Sequence, residues 1–354
     1  MNKTNPFSLS FGKKPFEYIS RFSQTERIIN DFSSTPSPSQ VYMITGVRGS
    51  GKTVMLANIS EYFSDKKDWM VIELSTERDI LNSLASKLYN SSFQASLVEA
   101  KIDLSFFGIG VSIKGAPKIT DIDVATEKML KVIKKKGQKI LLTIDEVVNN
   151  KSVREFSSMF QIYMRQDYPV YLLMTGLYEN IYNLQNEKTL TFLYRAPKIS
   201  LQPLNAGAIV DSYSKIFDIS EEKARRMYMQ TRGYPFAFQV LGYLCWESGG
   251  AENVDKILPV YDQYLDEYVY SKTWSELSGI DKSIIKVMSE SGEINVTKIR
   301  KLLDMSTEKF SVYRKRLINK GLIAPGAYGE IVMVLPRYDV FVKNHSIVNS
   351  GSLY

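Results

Sequence analysis

The sequence predicts an α/β fold, a parallel sheet flanked by helices, followed by a helical segment and a small basic domain at the C-terminus. Three observations carry this expectation. Near-continuous apolar runs at Val41–Ile44, Trp69–Leu74, Ile140–Ile144 and Val170–Met174 alternate with longer stretches of helical spacing, the pattern of strands buried on both faces. The run Gly46-Val47-Arg48-Gly49-Ser50-Gly51-Lys52-Thr53 lies between the first of those strands and the helical stretch Val54–Ile59. That is the strand–turn–helix context which the phosphate-binding pattern G-x-x-x-x-G-K-[ST] requires. The charge excess is also uneven. Asp281 to Lys343 holds twelve basic and seven acidic residues, an excess of five out of +7 for all 354 residues.

Composition narrows the function classes. The apolar and charged fractions are those of an ordinary globular protein, and the length suffices for two or three domains. No apolar run approaches the length needed to cross a bilayer, and Met1–Pro6 leads into no apolar core of signal-peptide length, so a cytoplasmic protein without a membrane role is expected. The single cysteine, Cys245, excludes an intrachain disulfide. The single histidine, His345, argues against a histidine-based metal cluster or a Ser-His-Asp triad.

Taken in order, Phe7, Phe11, Phe16, Tyr18 and Ile19 read as anchors of an extended segment. Ser23, with Glu26 three residues on, has the spacing of a capping box for a helix reaching Phe32. Ile19 and Arg21 are candidates for base contacts or for plain surface packing. Ser33–Ser39, with Pro36 and Pro38, is a loop. Within the glycine-rich loop (Gly46, Val47, Arg48, Gly49, Ser50, Gly51, Lys52, Thr53, Val54), glycines allow successive N–H groups to face a polyphosphate, and the following helix turns its positive end to the same anion. Lys52 would reach the β- and γ-phosphates and the Thr53 hydroxyl would ligate Mg²⁺. ATP or ADP with Mg²⁺ is the implied cofactor.

Residues 78–99 have an apolar spacing that predicts one helix. Alternation around Gly108 and Gly110 predicts an inserted β-hairpin over 102–113, and the absence of a third glycine rules out a dinucleotide fingerprint. Asp123–Gly137 predicts a helix whose closing Lys134-Lys135-Lys136 complements its negative end. The strand Ile140–Ile144 then delivers Asp145 and Glu146 to the edge where open parallel sheets bind ligands. Asp145 would hold Mg²⁺, usually through water, and Glu146 would orient and deprotonate the attacking water. Thr175, ending the next strand, is placed either to contact the γ-phosphate or its water, or to cap the following segment. Arg195 either stabilises γ-phosphate charge, from a neighbouring subunit, or forms a surface ion pair.

Residues 251–274 are helical and aromatic-rich, a packing bridge. Residues 275–343 have the order of a winged helix: helices at 283–289, 296–303 and 307–320, then a hairpin through Gly326 and Gly329. Phe310, Val312, Tyr313, Leu317 and Ile318 are expected on the core face of the third helix, with Lys309, Arg314, Lys315 and Arg316 meeting DNA phosphates or base edges. Winged helices also serve as protein-binding or structural modules.

The loop at 46–53, the Asp145-Glu146 strand, Thr175 after a strand and Arg195 before another together resemble a AAA+ P-loop ATPase core. Residues 206–246 look like that family's helical lid. Gly233-Tyr234-Pro235-Phe236-Ala237 resembles the G-x-P motif of STAND and archaeal-type ATPases, which implies that Pro235 lies near the nucleotide base. The layout is also similar to that of the origin-recognition initiators, and the resemblance spans roughly residues 15–340. Initiators carry a lid arginine where this chain has Phe236 and Phe238, with Arg225, Arg226 and Arg232 nearby. The departure implies a slow, switch-like ATPase. The domains are then a P-loop core at 1–204, a lid and bridge at 205–274 and a winged-helix domain at 275–354. Duplex DNA is the partner this reading favours, with a homo-oligomer or protein partner as the other possibility. Its rival is an ATP-dependent signalling scaffold whose winged helix binds protein. A nucleotide kinase lacks an obvious second-substrate domain.

Overall fold

The computed structural model describes residues 4–10, 12, 14–110, 112–117, 119–252 and 254–350, the last four of these for their backbone only. Residue packing divides the chain into two units. The first comprises residues 21–45 and 52–200, and the second residues 1–20, 46–51 and 201–354.

The first unit is built on five parallel strands, β1 (Val41–Thr45), β2 (Trp69–Leu74), β3 (Lys139–Ile144), β4 (Val170–Gly176) and β5 (Lys198–Ser200). They lie in the order β2-β3-β4-β1-β5. β1 and β4 are buried along their whole length, the outcome that their unbroken apolar runs predict. The pleat separates the side chains into two layers. Met43, Ile140, Leu142, Ile144, Leu172 and Met174 join a core with helices Ile80–Tyr89, Ile122–Lys135 and Lys151–Arg165. Opposite them, Phe32, Phe63, Trp69 and Tyr171 form an aromatic layer, with ring centroids 4.1 Å apart for Phe63–Trp69 and 4.8 Å for Trp69–Tyr171.

Three sequence expectations fail here. The first helix spans Phe22–Ser33 with Arg21 at the N-cap and no side-chain cap, so Ser23 and Glu26 lie inside it. The segment 78–99 is broken into helices Ile80–Tyr89 and Gln94–Glu99, because the Asn90 amide and Ser91 hydroxyl close off the first one. No hairpin forms among the described residues of 102–113; Val111 lies outside them. The Asp103 carboxylate instead accepts the amides of Ser105 (2.9 Å) and Ile113 (2.7 Å) and the Ser112 hydroxyl, folding the segment into a loop around a 3₁₀ turn. Gly108 and Gly110 take positive φ, which explains their presence without strand pairing. Lys134 and Lys135 do close the helix Ile122–Lys135.

In the second unit the lid helices are Ala206–Phe217, Glu221–Thr231 and Pro235–Glu247. Asn205 and Ser220 cap the first two, and Pro235 occupies the first turn of the third, where its missing N–H costs nothing. The N-terminal segment packs with this unit. Phe7 is buried against Tyr213, Phe217 and Phe238, while Asn5 bonds Glu247 and Ser8 bonds Gln239. Phe16 is 91% exposed and anchors nothing; Ile19 packs against the core; Phe11 lies outside the described residues.

The C-terminal part follows the order expected of a winged helix. Helices Gly279–Ser291, Val296–Leu302 and Thr307–Asn319 precede an antiparallel pair, β6 (Ile323–Pro325) and β7 (Ile331–Met333), and Asn295 bridges Glu330. A capping box of Ser278 and Asp281 opens the first of these helices. Phe310 and Leu317 are buried on the third, but Val312 is 65% exposed and does not belong to its core face.

Candidate nucleotide site

β4 lies between β1 and β3, in registers Ile44↔Thr175 and Ile144↔Met174. Parallel pairing brings the strand ends to one edge, so Asp145, one residue beyond β3, falls beside Thr175. The Asp145 carboxylate is the hub of the site. It accepts the Thr53 hydroxyl at 2.7 Å, the Thr175 hydroxyl and the Glu146 amide at 3.1 Å. The same Glu146 amide donates to the Thr175 oxygen at 3.1 Å. Thr175 is fully buried, and its hydroxyl donates to Asp145 and accepts from the Glu146 amide. Glu146 is exposed and has φ +50°, a conformation that costs a non-glycine residue roughly 1–3 kcal/mol and recurs at functional sites.

Thr53 stands in the first turn of helix Lys52–Ser64, and the adjacent Lys52 is buried, 7% exposed. Arg195 ends the short helix Thr191–Arg195, exposed and outside the bonds that join Thr53, Asp145, Glu146 and Thr175. Arg21 precedes the first helix, where its carbonyl accepts the amides of Gln24 and Thr25.

The glycine-rich loop itself, residues 46–51, belongs to the second unit and is tied to the lid there. The Tyr234 hydroxyl, on a side chain 5% exposed, donates to the Arg48 carbonyl at 2.6 Å, and the Phe236 amide donates to the Gly49 carbonyl at 3.2 Å. Gly49 has φ +68°, and a Cβ there would lie 2.3 Å from the Tyr234 oxygen. The Arg48 guanidinium pairs with Glu276 at 2.7 Å. These partners escaped sequence reasoning, which marked Pro235 in the G-x-P motif and passed over Tyr234 beside it. Glu276 carries no local signal at all, being 228 residues away.

The residues suit a triphosphate and a hard cation. Ser50 Oγ and Thr45 Oγ1 are buried polar atoms without a protein partner, and Gly46 has no room for a Cβ, which would meet Ser50 Oγ at 2.6 Å. Thr53 and Asp145 offer the oxygen ligands that Mg²⁺ prefers.

Of the four basic residues assigned to DNA, Lys309 and Lys315 are exposed and Arg314 is half-buried on helix Thr307–Asn319. Arg316 is engaged elsewhere. It bonds both carboxylate oxygens of Asp281, a residue with a side chain 1% exposed, and the Ser278 hydroxyl.

The strand order and the Lys52–Thr53–Asp145 arrangement are those of a P-loop fold. Comparison with known proteins places the chain further. Residues 29–189 match the family described as an ATPase domain predominantly from Archaea, and residues 267–342 match a domain of unknown function, DUF8462. No curated protein matches the chain significantly. Among solved structures, the Walker-type ATPase PABY2304 of Pyrococcus abyssi is similar, with a TM-score of 0.64 and 14% identity over 92% of this chain and 96% of that one. The Aeropyrum pernix ORC2 protein, in ADPNP–ADP complexes, has a TM-score of 0.57 and 13% identity over 95% and 96%. These likenesses show a shared fold. Residues 29–189 thus match an archaeal-type ATPase domain, on a fold shared with these solved structures.

Proposed function

We propose that the protein is a Mg²⁺-dependent ATPase switch whose nucleotide state governs a C-terminal winged helix that engages duplex DNA. The observation that carries the enzymatic part is the Asp145 hub, which holds Thr53 at 2.7 Å and fixes Glu146 at the strand end. Thr53 and Asp145 would hold Mg²⁺, which when bound neutralises charge on the phosphates. The Lys52 ammonium and the amides of 46–53 bind the phosphate oxygens, and Pro235 sits by the base. The Glu146 carboxylate orients water and takes its proton; its exposure at the sheet edge suits that role. Arg195 stabilises γ-phosphate charge on a neighbouring copy. That the Aeropyrum relative was solved with ADPNP and ADP supports an adenine nucleotide.

The switch follows from the ties on the loop. The backbone that would cradle the triphosphate is bonded to Tyr234 and Phe236, and its Arg48 to Glu276, so nucleotide binding and the helices beyond residue 234 share atoms. The arginines of the lid have partners within their own unit: Arg225 and Arg226 pair with Glu221 and Glu222 on the surface, and Arg232 bonds the Met333 carbonyl. Slow turnover is consistent with this. Lys309, Arg314 and Lys315 are the proposed DNA contacts, with Arg316 holding the domain together. One observation favours the scaffold reading, in which the winged helix binds protein: Leu302 and Val312 are 62% and 65% exposed.

The test of the enzymatic reading uses two variants. Lys52→Ala abolishes nucleotide binding, whereas Glu146→Gln still binds ATP but hydrolyses it about 100-fold or more slowly. Unchanged turnover in both variants refutes the mechanism.

A further inference from the structure

A second candidate site lies in the C-terminal part of the second unit. Helices Ser271–Ser275, Gly279–Ser291 and Tyr338–Ser350 border an open cavity of about 600 Å³. Its chemistry is one-sided. Lys282 and Lys286 stand one helical turn apart and so present both ammonium groups on one face. Ser271 and Ser275 repeat that spacing on the neighbouring helix, their hydroxyls donated to the Asp266 carboxylate and, at 2.8 Å, to the Lys272 carbonyl, and Ser346 also lines the cavity. Among the described residues, no carboxylate lines the cavity.

The neighbouring cavity, about 330 Å³ and also bordered by His345, provides a contrast. It contains Asp262 and Asp266 together with Arg337, and Arg337 pairs with Asp262 through two bonds. The cation there is fully paired, whereas the larger cavity's lysines have weaker partners. Lys286 lies 3.6 Å from Glu290 in a pair about half exposed, a geometry worth little. The Lys282 ammonium lies over the Trp274 ring, 5.5 Å from its centroid, and Trp274 meets His345 edge-on at 6.0 Å. Two ammonium groups beside an indole wall are the chemistry that recognises a phosphate ester, and the volume is that of a ligand pocket.

We propose that this cavity is a second anion site that takes a phosphate group, distinct from the glycine-rich loop and from the third helix of the winged domain. It stands independently of the ATPase reading.

The single histidine supplies a local probe, since its ring borders this cavity, and the lysine variants separate it from the neighbouring one. The full-length chain carrying Lys52→Ala, which removes the loop's principal cation, is titrated with sodium tripolyphosphate and separately with a 5′-phosphorylated oligothymidylate. Saturable movement of the His345 resonances is expected, with at least ten-fold weaker affinity in Lys282→Gln/Lys286→Gln and recovery in Lys282→Arg/Lys286→Arg. Tripolyphosphate acting alone assigns the site to a free phosphate compound; tighter binding of the oligonucleotide assigns it to a nucleic-acid backbone. His345 resonances that do not move with either probe at millimolar concentration overturn the proposal, as does unchanged affinity in the double glutamine variant.

Discussion

Thr175 is proposed to act on the chemistry through its neighbours. It donates to Asp145 and accepts from the Glu146 amide, so it sets the position of two groups the chemistry needs. Thr175→Val keeps the volume and removes both bonds. Partners of a metal ligand typically cost 10–100-fold when lost, so turnover should fall about 10-fold or more while ATP affinity holds, with rescue by Thr175→Ser. Equal turnover in the valine variant would show that the hydroxyl positions nothing. Asp103 offers a separate residue-scale prediction. Hydrogen bonds from the Ser105 hydroxyl, then from the amides of Ile113 and Ser105, hold its carboxyl down to about 2, against an ordinary value near 4. A depressed folded-state value contributes stability above the ordinary value and loses it as pH falls through the folded one. Exchange protection of the Ser105 and Ile113 amides should therefore drop between about pH 4 and pH 2, and the same amides should show no such dependence in Asp103→Asn.

At the scale of elements, helix Thr307–Asn319 divides its cations between two tasks. Arg316 neutralises an Asp281 carboxylate that is 1% exposed, with the Lys320 ammonium 3.8 Å away as a secondary charge. Removing one partner of a buried pair leaves an uncompensated charge. Arg316→Ala should therefore lower unfolding stability by about 3 kcal/mol, a value at the low end because the guanidinium is one-third exposed. Chemical denaturation measures it, and an unchanged midpoint would remove Arg316 from the domain's framework. The helices of the C-terminal part were legible from apolar spacing, but their caps at Ser278 and Ser306 were not, and the first begins at Gly279, four residues before the expected start. The segment 102–113 was not legible, because alternation around two glycines describes a hairpin and an Asp103-centred loop equally well. The choice was made by the Asp103 carboxylate taking the Ile113 amide, ten residues away.

For the whole molecule, the test of a DNA partner is the response to salt. Phosphate contacts release counterions, so affinity for duplex DNA should fall steeply as salt rises. Arg314→Ala/Lys315→Ala should weaken binding at every salt concentration and flatten the slope by about two. If no duplex binds at low salt, the protein-scaffold reading prevails. The strands, the phosphate-binding loop and the Asp145-Glu146 pair could be read from sequence because each is encoded within a dozen consecutive residues. Apolar runs, glycines and strand-end acids carry their meaning locally. Only the tertiary structure decided that the Thr175 hydroxyl binds Asp145, that Arg316 belongs to Asp281, and that Tyr234 and Glu276 hold the loop from 186 and 228 residues away. Such pairings depend on which polar groups burial leaves in need of a partner, and no spacing in the chain records that.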